Sequence, residues 1–298
     1  AGLAITTGDQ NTALGARSLQ AATTADHNTA IGEAALYANT SGHSGVAVGS
    51  QALAANTTGV ENVAVGFTSL DANTTGSYNT AVGTDSMSAN TTGQENVSMG
   101  WNSLDANTTG NYNVAIGASA LGVNTTAASN TAVGYGSLTA NTTGTTNVAV
   151  GSTAMAANTT ADNNTGIGAA SMNGNTTGTR NTAVGSDSLK VSTTGNDNTA
   201  IGKGALTANT TASNNTAVGK NALAANTTGA NNTAVGKSAL DANTTGASNT
   251  VLGADALSAD TQGSRSVAIG TSALEVQNFT TATNTYNVAV GFNAGAAI

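Results

Sequence analysis

An all-β chain folded as a parallel β-solenoid is what this sequence predicts, and three observations predict it. A glycine closing an Asn-Thr-Ala-Val-Gly-like motif recurs every 17 residues, from Gly15, Gly32 and Gly49 through to Gly270. The unit between these glycines keeps Gly, Asn, Thr and Ala at fixed places, and the 298 residues contain no proline. A β-branched residue and an aliphatic one stand two apart in each unit, as Thr12 and Leu14 or Val63 and Val65 do. A fixed period of this length without helical spacing marks a stack of coils, none of which can bury its apolar residues alone. The helical alternative fails because Gly, Asn and Thr recur too densely for an uncapped helix of useful length. The predicted organisation is a single solenoid domain over 1–298: a partial coil at 1–10, regular coils over 11–274, and an irregular last coil with an insertion over 275–298, where the glycine spacing slips by four residues to Gly291.

Each coil is numbered here from its first Asn, so that Asn232-Thr233-Ala234-Val235-Gly236 fills positions one to five. Position two is Thr or Val and position four is aliphatic or Met in every coil. This period-two pattern bounded by Gly predicts a short strand with positions two and four facing inward. The Gly at position five supplies a corner that needs no Cβ. Position nine is Leu or Met in all coils but the last, where Gly295 stands, and the Ala-Leu-x-Ala segment around it predicts a second short strand. Asn-Thr-Thr-Gly at positions twelve to fifteen reads as the other corner. The absence of proline suits a stack in which each coil donates N–H groups to the next.

Stacking turns each position into a column with a step of about 4.8 Å, so the whole array is expected to be a rod on the order of 80 Å long. The Asn residues at position one (Asn11, Asn28, Asn62) and position twelve (Asn39, Asn56, Asn73) are then expected to form amide ladders. Two large aliphatics per coil make a thin core, at roughly 1.5–3 kcal/mol each, against roughly 1–2 kcal/mol of backbone entropy per ordered residue. Lateral association is therefore expected. With positions two and four inward, the small residue at position three faces out, and the column represented by Ala13, Ala81, Ala132, Ala183 and Ala234 is the expected inter-chain seam.

The Val-Ala-Val-Gly and Val-Ala-Ile-Gly cores (Val46 to Gly49, Val114 to Gly117, Val267 to Gly270) resemble the head repeats of trimeric autotransporter adhesins. The longer unit, Asn215-Thr216-Ala217-Val218-Gly219-Lys220-Asn221-Ala222-Leu223 with Ala225-Asn226-Thr227-Thr228-Gly229, is similar to arrays in bacterial and phage tail-fibre-like proteins. The resemblance covers almost the whole chain. It implies a left-handed β-roll, a homotrimer, and a place outside the cell, at its surface or on a virion fibre.

Charged residues make up 7% of the chain, with 7 basic against 15 acidic and a net charge of −8, which argues against a nucleic-acid partner. Cysteine is absent, and no apolar run is long enough for a membrane-spanning helix. The two histidines, His27 and His43, have no acidic or thiol cluster arranged around them, so no metal, cofactor or catalytic residue is expected. A polysaccharide-cleaving β-helix enzyme needs paired carboxylates, whereas Asp71, Asp105 and Asp241 at position ten stand apart. Lys203, Lys220 and Lys237 stack at position six as a solvated row. At that same position Phe67, Trp101 and Tyr135 recur every second coil, with Tyr78 and Tyr112 similarly spaced at position seventeen. Rings about 10 Å apart are candidate glycan contacts, or packing against a neighbouring chain. Asn-Thr-Thr is formally a glycosylation sequon, and a turn Asn in a ladder is its structural reading. Ice binding through Thr rows is a further alternative, opposed by the Val residues that interrupt position two. The expected role is a structural extracellular fibre or filament segment, an adhesin or tail-fibre-like shaft. Its expected partner is itself, laterally, while the matching segments Ala1 to Ile5 and Ala294 to Ile298 fit either a window of a longer array or head-to-tail docking of copies, between which the sequence does not choose. A host receptor or surface glycan is the other expected partner.

Overall fold

The computed structural model describes residue 2 and residues 4–296. Ala1, Leu3, Ala297 and Ile298, and with them part of the matching terminal segments, lie outside the described residues. The chain forms two compact units, 1–146 and 147–298. Each is a parallel β-solenoid with a 17-residue coil, and no helix occurs among the described residues.

In the first unit, three-residue strands run from Thr12–Leu14 to Thr131–Val133, each at positions two to four of its coil. Successive strands pair in parallel and in register, as Val63, Ala64 and Val65 do with Thr80, Ala81 and Val82. The second unit repeats the arrangement from Val148–Val150 to Val267–Ile269. Its last strand, Val288–Val290, pairs with Val267–Ile269 although four extra residues intervene. The insertion is absorbed by a two-residue pairing of Gly263–Ser264 with Thr283–Asn284.

The strands stop after three residues because the chain turns at the glycine of position five. Gly83 has φ +133°, and a Cβ there would lie 2.6 Å from the carbonyl oxygen of Gly100 one coil on. Bonding between coils nevertheless continues around the whole circuit. Gly83 and Asp85 donate their N–H groups to Val65 and Phe67 of the coil before, at 2.8 and 3.1 Å. Met87 and Thr91 donate to Ser103 and Thr108 of the coil after, both at 2.9 Å, and Glu95 donates back to Ser77 at 3.1 Å. The backbone is thus satisfied without long strands.

The expected second strand is not present. Positions six to eleven are a run of turns, with left-handed φ at positions seven and nine, for instance Asp85 (52°) and Met87 (55°). Position seventeen is left-handed as well, as in Glu95 (55°). Left-handed geometry reverses the side from which the N–H and the side chain project, and this lets position nine aim its side chain at the axis while its N–H reaches the next coil.

The burial pattern corrects the predicted orientation of the first strand. Position three is buried and positions two and four face outward. In the coil that begins at Asn96 the interior holds Asn96, Ser98, Ser103, Leu104, Asn107 and Gly110, so one large aliphatic fills each level rather than two. The space between the strand and the large side chain at position nine is taken by small residues in all coils but one, where Val251 is buried, and at Gly166 the Met155 side chain fills the room, so that a Cβ there would meet it at 2.9 Å. Bulk at positions two and four therefore has to point away from the axis.

Both amide ladders form inside the solenoid. At position twelve, Asn73 donates to Asn56 at 2.8 Å and Asn90 to Asn73 at 2.9 Å. At position one, the backbone N–H of Asn79 donates to Asn62 Oδ1 at 2.9 Å, while Asn79 Nδ2 reaches the carbonyl of Gly93 at 2.8 Å. These side chains occupy the space that a larger apolar core fills in other folds. In the second unit the position-twelve column ends in Asp260 and Gln277, joined at 2.8 Å, and Asn287 donates to Gln277 at 2.7 Å.

Candidate interaction face

With position three turned inward, the outer face of each strand presents positions two and four, flanked by position seventeen before the strand and position six after it. Position four is the aliphatic column: Met99 is 43% exposed, Ile116 37% and Leu252 49%. The expected seam of Ala13, Ala81, Ala132, Ala183 and Ala234 is not on the surface, because Ala81, Ala132, Ala183 and Ala234 are fully buried by their own chain and Ala13 is partly so. The exposed apolar seam is the neighbouring column.

In the first unit this face is enriched in apolar groups on both flanks. Val46, Val63, Val97 and Val114 take position two. Phe67, Trp101 and Tyr135 at position six are 54, 57 and 65% exposed, and Tyr78 and Tyr112 at position seventeen are 51 and 58% exposed. All the rings named as candidate glycan contacts therefore reach solvent. The column at position seventeen also has a feature that a search for aromatic spacing misses. It alternates Glu61, Tyr78, Glu95 and Tyr112, all exposed and all left-handed, with φ between 54° and 62°. A shallow hollow lies beside Tyr78 and Glu95.

The second unit differs on the same face. Position two is Thr in six successive coils from Thr165 to Thr250, facing outward rather than inward as expected. Lys203, Lys220 and Lys237 line position six, and Lys237 lies 3.5 Å from Asp255. At position seventeen Arg180 grips Asp197 of the following coil through two bonds of 2.7 and 2.9 Å. That pairing lowers the carboxyl of Asp197 below its ordinary value and raises Arg180.

The aspartates at position ten stand apart from this face in sequence. Burial pushes the carboxyl of Asp71 up, and the nearby charges of Asp85 and Asp105 add to the effect. Asp241 is raised by burial too, with Asp255 contributing. Thr68 donates to Asp85 and Ser88 to Asp105, each across one coil. Asp85 and Asp105 thus tie neighbouring turns together. Among the described residues no group of three or more His, Cys, Asp or Glu is placed to hold a metal ion, and His27 and His43 lie exposed on successive coils. No helix of the described residues is long and apolar enough to cross a membrane.

The sequence matches no protein-family model and no curated protein.

Proposed function

We propose that this chain is a structural segment of an extracellular fibre, an adhesin or tail-fibre-like shaft, whose copies associate side by side through the outer face of the strands. The supporting observation is the aliphatic column at position four of each unit, whose coils turn it outward although one more buried aliphatic per coil is what a thin core lacks. A column repeating at the coil step is complemented along its length only by a surface of the same period, and a second copy supplies one. A homotrimer is the assembly that the resemblance to adhesin heads implies, and burial of three such columns against one another closes the seam on every chain. In this reading the work is mechanical: hydrogen-bonded stacks of coils hold something at a distance.

Sedimentation tests the proposal. The chain should sediment as an oligomer at micromolar concentration, and Met99→Lys with Ile116→Lys should return it to monomer with an unchanged far-ultraviolet circular dichroism spectrum. A monomeric wild-type chain overturns it. The ice-binding alternative gains from the outward Thr column but loses to the three lysines beside it, whose strong hydration opposes an ice-like water layer. Absence of ice shaping is the expected result.

A further inference from the structure

We infer that the rings at position six of one copy pack against the tyrosines at position seventeen of the next, in parallel and in axial register, through the first unit. This inference rests on the side-by-side association proposed above and names the contacts that set its register.

Within one chain the two columns cannot meet across the strand. Glu61 and Phe67 flank the same strand, Val63–Val65, from opposite ends, six residues apart in the chain. Two chains with parallel axes, turned face to face about an axis along the solenoid, present their edges in reversed order. The position-seventeen edge of one then lies beside the position-six edge of the other. The same holds for a three-fold arrangement. An antiparallel pair brings like edges together, so a tyrosine at position seventeen meets a glutamate or tyrosine of its own column rather than a ring at position six.

The composition of the two columns follows the parallel case. Phe67 and Tyr78 belong to one coil, and Trp101 and Tyr112 to the coil two further on. The coil between them has the small Thr84 at position six and Glu95 at position seventeen. In register, Phe67 of one copy and Tyr78 of the next lie within one axial step of about 4.8 Å, and so do Trp101 and Tyr112. In this register Tyr135 faces Thr146, whereas a slip of two coils sets Trp101 against Tyr78 and Tyr135 against Tyr112 and leaves Phe67 outside the pairing, so a link between Phe67 and Tyr78 distinguishes the two. Area supports a second copy as the occupant. Rings of this size bury about 150–250 Å² each, so four rings just over half exposed offer on the order of 400 Å². With the position-two valines and the position-four column beside them, the face approaches the roughly 800 Å² per partner of a stable interface.

The chain has no cysteine, so introduced thiols report without background. Phe67→Cys and Tyr78→Cys chains are prepared separately, mixed by refolding together, and treated with a mild oxidant or a short bis-maleimide. The expected result is a covalent dimer from the mixture and none from either variant alone. Trp101, the sole tryptophan, gives a second readout: its emission should shift to shorter wavelength on association, and Tyr112→Ser should reduce that shift. An oligomer that gives no mixed cross-link, or a Phe67→Cys chain that cross-links to itself, overturns the pairing and leaves side-by-side association standing. A monomeric wild-type chain overturns both. Saturable binding of an oligosaccharide by an oligomer whose Trp101 stays water-exposed assigns the rings to a glycan and overturns the pairing.

Discussion

Asn90 donates through Nδ2 to Oδ1 of Asn73 in the coil before it, at 2.9 Å, and to the carbonyl of Gly93 in its own turn, at 3.1 Å. Its own Oδ1 accepts from Asn107 at 2.9 Å. One buried amide therefore ties three coils and a corner together. Asn90→Ala removes a donor and an acceptor from a buried column. The expected cost is on the order of 2–4 kcal/mol, since each orphaned buried group costs about 1–3 kcal/mol. Stacked coils do not unfold as one two-state unit, so the loss should appear first in native-state hydrogen exchange of coils adjoining Asn90. A change below about 0.5 kcal/mol would show that the ladder is incidental to stability.

Two glycine columns look alike in spacing and differ in cause. A Cβ on Gly83 would lie 2.6 Å from Gly100 O, and one on Gly93 would lie 2.4 Å from Asn90 Oδ1. Yet position fifteen carries Ala in Ala25, Ala127, Ala161 and Ala212, whereas position five is Gly in every coil. The difference is φ, which is +133° at Gly83 and lies outside the left-handed region at Gly93. Gly93→Ala should fold with a loss near 1 kcal/mol, and Gly83→Ala should lose several times more. Equal losses in urea titrations would contradict the role given to φ.

The inside and outside of the strand separate in the same kind of experiment. Leu104 is fully buried and is the one large side chain of its level, so Leu104→Ala should cost about 2–5 kcal/mol. Val82→Thr, on the outer face, should change the stability of the isolated chain little and weaken its association. The contrast is read by pairing thermal unfolding with sedimentation. A large stability loss in monomeric Val82→Thr would return position four to the core.

How much of this was legible in the residues depends on what each column encodes. The period, the parallel register and the amide ladders follow from spacing and from Asn recurring at positions one and twelve, because identical residues at a fixed step have to stack. The side of the strand was misread because alternation says only that two faces differ. Which face is inside depends on room, and room is set by the large side chain at position nine, which leaves space for small residues such as Ala81 and Ser98 opposite, Val251 being the one bulkier residue there. The second strand was misread because Leu104 in the left-handed region, at φ 51°, runs against its ordinary preference. A signal existed at position seven, where Gly136, Gly204, Asn102 and Asn221 are residues that tolerate that region. The alternation of Glu61, Tyr78, Glu95 and Tyr112 was present in the letters as well, but its meaning needed the knowledge that position seventeen borders the outer face.

Burial also settles how the Asn-Thr-Thr sequons should behave. Asn73, Asn90 and Asn107 are fully buried in the ladder, so the folded chain offers no amide to a glycosylating enzyme. Material made in a host that glycosylates Asn should show the unmodified mass wherever folding precedes modification. A glycan at Asn90 in assembled material would mean that the ladder is open in the native state.

The pH dependence follows from Asp71. Burial raises its carboxyl above the ordinary value in the folded chain, so the charged form is disfavoured there relative to the unfolded chain. The folded state then binds the proton more tightly, and this residue's penalty is fully present above its folded value and fades as pH falls through it. Asp71→Asn should therefore stabilise slightly at neutral pH, by about 0.5 kcal/mol or less for a half-buried group that solvent still screens, and make no difference in acid. Asp197 has the opposite sign. Its carboxyl is lowered by Arg180, so that contribution is present at neutral pH and is lost as pH falls through the depressed value. Melting curves of Asp71→Asn and Asp197→Asn across the acid range should converge on the wild type from opposite sides, and convergence from the same side would show that one of the two assigned causes is wrong.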